Sequence, residues 1–164
     1  MKKLFLATVC GIAATFLTGA AMAENQEIIK KGSIGGFDGP EKIFTGTVKV
    51  TNIFPKKSWQ PFSAGLVEFS PNARSAWHTH PAGQSLIVHS GKILTGTADG
   101  AAHIAEPGDA ILCPPNVKHF HGAAGETAGA HIALTGYLGD QNVTWLEKVS
   151  DAEYAAALKK AGGK

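Results

Sequence analysis

Cysteine is scarce in this chain, and the two that occur, Cys10 and Cys113, are not placed to pair. Cys10 falls in an apolar leader that reads as removable. That leaves one thiol and excludes an intrachain disulfide framework. Charge is also sparse, at 17% of residues. The lysine doublets Lys30-Lys31, Lys56-Lys57 and Lys159-Lys160 stand isolated, so the chain has no basic stripe of the kind a nucleic-acid surface needs. Beyond the leader no apolar run approaches the length required to cross a bilayer. No internal repeat or shift of composition marks a second domain. The partner expected is a small molecule, with no nucleic acid and no membrane after leader removal. Homo-oligomerisation is left open.

The leader sets the expected compartment. Lys2 and Lys3 precede an uncharged apolar run from Leu4 to Leu17, and Ala21-Met22-Ala23 is a small-x-small cleavage signal before Glu24. Residues 1–23 thus read as a secretory signal peptide, which makes the protein periplasmic or secreted. No cysteine follows the cleavage point, so lipid anchoring is not expected. Cleavage removes two lysines and no acid from 15 basic and 13 acidic residues, leaving a formal net charge of zero.

The remainder reads as one β domain. Residues 24–40 are Gly-rich and polar, a flexible lead-in, and residues 41–149 form the β body. Candidate strands are Ile43–Asn52, Ala64–Ser70, Ser75–Thr79, Ser85–Ser90, Lys92–Thr97, Ala102–Glu106, Asp109–Leu112, His119–Gly122, His131–Leu138 and Thr144–Val149. Turn residues punctuate them, and Asp99-Gly100 is a strong hairpin signal. Many short strands at close spacing imply a barrel or sandwich. In residues 150–164, Ser150-Asp151-Ala152-Glu153 is a capping box opening a short helix that closes at Gly162.

Against this background the histidines stand out. His78-Thr79-His80 and His119-Phe120-His121 are two HxH pairs, and His131 follows. On a strand, residues two apart share a face, so His78 and His80 aim at one point. A third imidazole and the carbonyl of a nearby Gln84 complete an N/O ligand set for a divalent first-row metal, with positions left open for a substrate. By the same periodicity His121 shares the interior with His119, and His131 can reach it from a neighbouring strand. A histidine beside a metal can act as general acid or base. His89 and His103 are given no role. Trp77, Phe44, Phe69 and Phe120 are assigned to core packing, and Cys113 to a buried apolar site.

The segments GLVEFSPNARSAWHTHPAGQSLIVHSG (65–91) and EPGDAILCPPNVKHFHGA (106–123) resemble the two signature motifs of the cupin superfamily. The resemblance implies an all-β, single-domain double Greek-key jelly-roll barrel. It also implies a metal held by His78, His80, Gln84 and His119, the ion being manganese, iron, nickel or zinc. Gln84 stands where most cupins carry Glu. A neutral amide leaves the ion its full charge, which favours anionic ligands and loosens the hold on the metal. Asn116 stands where most cupins carry Gly, and Asn tolerates a left-handed backbone.

A narrower resemblance runs through FTGTVKV (44–50), ARSAWHTHPAGQSLIV (73–88) and KHFHGA (118–123) to the bacterial cupin hydroxynitrile lyases. It implies an exported metal-dependent lyase acting on cyanohydrins, with His121 or His131 as the catalytic base. Thr135 departs from that group, which carries Gln there. Two competing readings stand beside the lyase: an iron-dependent dioxygenase or other oxidoreductase, and a non-catalytic periplasmic metal- or ligand-binding protein.

Overall fold

The structure, a computed structural model, describes residues 25–162. The leader expected over Met1–Ala23 lies outside the described residues. In chain order the elements are β1 (Gly36–Asp38), β2 (Phe44–Thr45), β3 (Val48–Phe54), β4 (Phe62–Phe69), β5 (Arg74–Ser75), β6 (His78–Thr79) and β7 (Gln84–Gly91). They continue with β8 (Ile93–Thr97), β9 (Ala102–Ala105), β10 (Ala110–Cys113), β11 (His119–Ala123), β12 (Gly129–Gly136), β13 (Thr144–Trp145) and helix α1 (Asp151–Lys160).

Two antiparallel sheets form a half-barrel. One runs β1-β3-β4-β12-β7-β10; the other runs β13-β6-β11-β5-β2, with β8 also on β11 and β9 on β8. Alternation along the strands builds the core between them. Val48 and Val50 of β3, Phe69 of β4, Leu86 and Val88 of β7, Ile93 of β8 and Ala133 of β12 belong to one buried cluster. This is the all-β architecture expected, closed by the expected helix.

Three expected strands are broken, each for a local reason. Ile43–Asn52 divides into β2 and β3 at Gly46, whose φ of 76° only glycine adopts readily. A Cβ there would also lie 2.9 Å from that of Ala73. Ser75–Thr79 divides into β5 and β6 because the backbone N–H groups of Ala76 and Trp77 turn to the Ile43 and Glu147 carbonyls. Thr144–Val149 pairs only through Trp145; Leu146 instead donates to the Trp77 carbonyl. Within the expected lead-in, Gly36–Asp38 is an edge strand paired with β3, so that stretch is not free of structure. Asp99-Gly100 makes the β8–β9 hairpin turn, and Asn116 takes the left-handed backbone with φ 63°.

The outer face of the second sheet is covered by α1. Trp77, Leu94, Phe120, Val149 and Tyr154 form a separate buried cluster there. Gly96 is required beneath it, since a Cβ would meet the Phe120 ring at 2.5 Å. The helix starts with the expected capping box: Ser150 accepts from the Glu153 N–H, and the Glu153 side chain accepts from the Ser150 N–H. Buried Arg74 ties the helix entry down by donating to the Val149 carbonyl at 3.1 and 3.0 Å and to Asp151 at 2.5 Å. Tyr154 ties it to β11 from the other side. Its hydroxyl donates to the Ala123 carbonyl at 2.8 Å and accepts from the Gly125 N–H at 2.9 Å.

Tyr154→Phe strands both of those buried backbone groups and is expected to cost about 2 kcal/mol. A lower urea midpoint with an unchanged m-value checks this; an unchanged midpoint would show that the helix is not anchored by this hydroxyl.

Candidate functional site

The alternation that builds the core also brings the histidines together. Along β11, His119 and His121 point between the sheets, while Phe120 points outward into the helix cluster. On β6, His78 points inward and lies directly opposite His119 in the antiparallel pairing. His80 follows just past the end of β6. The rings of His78 and His119 lie 4.3 Å apart between centroids, those of His78 and His80 5.0 Å, and those of His80 and His119 5.4 Å. The nitrogens that His78, His80 and His119 offer all lie within 4.8 Å of one another, and all three residues are buried.

The backbone decides which nitrogens those are. The Nδ1 of His78 faces the Ala76 carbonyl at 2.9 Å, that of His80 the Asn142 carbonyl at 2.5 Å, and that of His119 the Val117 carbonyl at 2.8 Å. A carbonyl only accepts, so each Nδ1 carries the proton and donates it, leaving each Nε2 with a free lone pair. Outer hydrogen bonds of this kind orient histidine ligands in metal sites.

Burial keeps the rings neutral. It holds the His80 pKa down to about 4. His78 is pushed well below the ordinary imidazole range by burial and by His119 beside it, and His119 is lowered by burial. The Nε2 of His80 is buried without any partner. Buried polar atoms ordinarily have partners, so a cluster of converging lone pairs with one orphaned member fits a bound cation.

Gln84 completes the set. It opens β7 opposite Thr135 of β12, and its side chain points inward. Its Oε1 lies 3.4 Å from the His119 Nε2, and its Nε2 donates to the Thr135 hydroxyl at 3.0 Å. The structure thus brings the nitrogens of His78, His80 and His119 within 4.8 Å of one another and sets the Gln84 Oε1 beside that of His119.

His121 and His131 form a second pair beside this group. The His121 ring lies 5.1 Å from that of His78 and 6.0 Å from that of His119. His131, from β12, places its Nε2 2.9 Å from the His121 Nδ1. The two sites are therefore ordered: His121 adjoins the cluster and His131 stands behind it. Phe69 packs on both rings. Burial lowers His131 to about 3, and burial followed by His131 itself lowers His121 well below the usual range. The Nε2 of His121 and the Nδ1 of His131 are buried and unpartnered.

The residues given no role stay apart. His89 and His103 are exposed on outward strand positions. Trp77 and Phe120 pack edge to face in the helix cluster, and Phe44 and Phe69 lie in the main core. Cys113 is buried, which pushes its thiol up to about 11, and it is not among the clustered ligand groups.

Other participants were not predicted. Trp145 pairs with His78 across β13 and β6 and lies 4.8 Å from its ring. The orienting carbonyls carry no residue signature in the sequence. Thr135 does carry one, because the i, i+2, i+4 periodicity of β12 puts it on the same face as His131.

An antiparallel half-barrel with an inward histidine triad and an amide beside it defines a cupin, and the chain belongs to the cupin family. The family pattern described as a cupin domain matches residues 65–134. The chain is 41% identical over 128 residues to an (R)-mandelonitrile lyase of Granulicella tundricola, a match covering 78% of this chain and 98% of that protein. A cupin-like protein of Thermotoga maritima superposes with a TM-score of 0.70 at 34% identity, covering 80% of this chain and 97% of the other. A polyketide cyclase of Streptomyces resistomycificus superposes at 0.63 with 15% identity, covering 81% and 99%, which shows the shared fold alone.

Replacing His78 and His80 together with Ala is expected to abolish stoichiometric metal, measured by elemental analysis of the folded protein. Full retention in the double variant would place the metal elsewhere. A second expectation follows from the lowered imidazole pKa values. The unfolded chain takes up protons near pH 6.5, whereas His80 resists until about 4 and His131 until about 3. Stability of the metal-free protein is therefore full above about pH 7 and falls as the pH drops through about 4 to about 3. Urea midpoints across that range check the slope; a flat profile would mean that the histidines are not held neutral.

Proposed function

We propose that this cupin is a metal-dependent lyase that cleaves cyanohydrins of the mandelonitrile type. The observation that carries the reading is the position of His121: a neutral, buried imidazole with an unpartnered Nε2, adjoining three converging metal-ligand nitrogens. The relative at 41% identity, an (R)-mandelonitrile lyase, supports the same class of substrate.

Bound at His78, His80, Gln84 and His119, a divalent manganese, iron, nickel or zinc ion supplies the positive charge that stabilises developing negative charge on the substrate. The rest is the work of the chain. For His121 Nε2 to accept a proton, its Nδ1 must carry one and donate to the His131 Nε2, which leaves His131 protonated at Nδ1. His131 thereby fixes the tautomer and orientation of His121. The His121 Nε2 takes the hydroxyl proton of the cyanohydrin as the carbon–nitrile bond breaks. The bonding pair leaves with cyanide, and the oxygen closes to a carbonyl. The proton on His121 then passes to cyanide, giving hydrogen cyanide and an aldehyde or ketone. Burial, followed by the His131 ring beside it, keeps His121 neutral, with one ring proton on Nδ1 and a free lone pair on Nε2 to accept another. Phe69 packs against both the His121 and His131 rings, and the Trp145 ring lies against His78. The leader sequence supports placing this activity in the periplasm or outside the cell.

Cyanide release from mandelonitrile by metal-loaded protein tests the reading. His121→Ala is expected to retain its metal and lose about a hundredfold or more in turnover, the scale of general-base loss. His131→Ala, acting one residue removed, is expected to lose less. Equal rates in all three proteins would remove both residues from proton transfer. No release by the wild type, with oxygen uptake on an enediol or thiol substrate, would make the site an oxygenase instead. Metal binding without any turnover would make it a binding protein.

A further inference from the structure

We propose that Thr135 is a positioning residue for the metal centre: its hydroxyl is the acceptor that lets the Gln84 amide turn its oxygen, and not its nitrogen, to the three imidazoles. This rests on the reading that His78, His80, His119 and Gln84 hold a metal.

A carboxylate presents oxygen whichever way it is rotated. An amide does not: one end accepts, while the other carries two N–H donors and no available lone pair. An amide ligand therefore needs something that a carboxylate at the same position would not, a partner for the outward NH2 group. Gln84 is buried, at 8% exposure, so a partner fixed in the sheet holds that end better than passing water. The structure supplies Thr135, also 8% exposed, with its Oγ1 3.0 Å from the Gln84 Nε2. With that bond made, Oε1 is the end that faces the ligand cluster, 3.4 Å from the His119 Nε2. The placement is built into the sheet, because Thr135 and Gln84 are directly opposed in the antiparallel pairing of β12 and β7. A hydroxyl can serve either end of an amide, and a cation among the imidazoles selects the oxygen. What Thr135 adds is an acceptor for the end that the cation rejects. With that acceptor gone, the oxygen-inward rotamer leaves a buried donor unmade, and the metal loses part of its hold.

The test uses Co(II) as the probe, since its visible absorption reports coordination number and its affinity can be read by chelator competition. Wild type, Thr135→Val, Thr135→Ser, Gln84→Ala and the Gln84→Ala/Thr135→Val pair are compared, with folding checked by circular dichroism. Thr135→Val is nearly isosteric and is expected to weaken Co(II) binding about tenfold or more, the usual scale for an outer hydrogen-bond partner. Its spectrum should move towards that of Gln84→Ala. Thr135→Ser should restore both affinity and spectrum. In the Gln84→Ala background, Thr135→Val should change neither, because there is no amide left to hold. If Thr135→Val matches wild type in affinity and spectrum, Thr135 does not position Gln84. If it weakens binding equally with and without Gln84, its effect is general packing, and the proposal also fails. If wild type binds no Co(II), the metal reading itself is overturned, an outcome distinct from the other two.

Discussion

The site depends on a single kind of bond, the Nδ1–H to carbonyl contacts made by His78, His80 and His119. Each fixes a tautomer, and together they turn the three Nε2 lone pairs towards one another. Three lone pairs brought together repel, and the Nε2 of His80 is buried without a partner. The arrangement holds because the carbonyls that enforce it belong to the frame: Ala76 between the split strands β5 and β6, Val117 just before β11, and Asn142 just before β13. The breaks in the sheet are thus part of the site's construction. A continuous ladder through Ala76 and Trp77 would hold the chain in a regular strand, where Ala76 O would not be the partner of a side chain two residues on.

Neutrality follows from the same burial. Desolvation is the first cause of the lowered pKa at every one of the five inward histidines, with mutual repulsion adding to it at His78, His80 and His121. The interior therefore offers a set of uncharged nitrogens at neutral pH, the state in which imidazole binds a metal or accepts a proton. The two histidine groups are divided by depth and strand. β6, its continuation and β11 supply the nitrogens of the triad, while His121 and His131, joined at 2.9 Å, lie to one side of them. One strand, β11, contributes to both groups through His119 and His121, and its outward Phe120 packs it under the helix.

The amide at position 84 shapes the chemistry available. On the proposed reading, three imidazoles and an amide would leave a bound divalent ion its full charge. Such an ion would stabilise an anion better than one already carrying a carboxylate. The cost is a polar group with two unlike ends in a buried place, and the structure meets it with Thr135 across the sheet. A hydrophobic residue there would leave the Gln84 NH2 without a partner.

Much of this was legible in the residues themselves. The period of a strand places His78 with His80, His119 with His121, and His131 with Thr135, because side chains two apart share a face. The spacing of turn residues implied many short strands, and Ser150 with Glu153 marked the helix start. The family resemblance added the ligand set. What the chain could not state was anything that depends on a partner distant in sequence. Gly46, Ala76 and Trp77 sit inside runs that look continuous, and only the contacts with Ala73, Ile43 and Glu147 break them. His121 and His131 were equivalent as candidates until the pairing of β11 and β12 with their neighbours put one beside the ligands and the other behind it. Local periodicity determined which face each side chain took; the register between strands, a property of pairs of segments, decided which of those faces met.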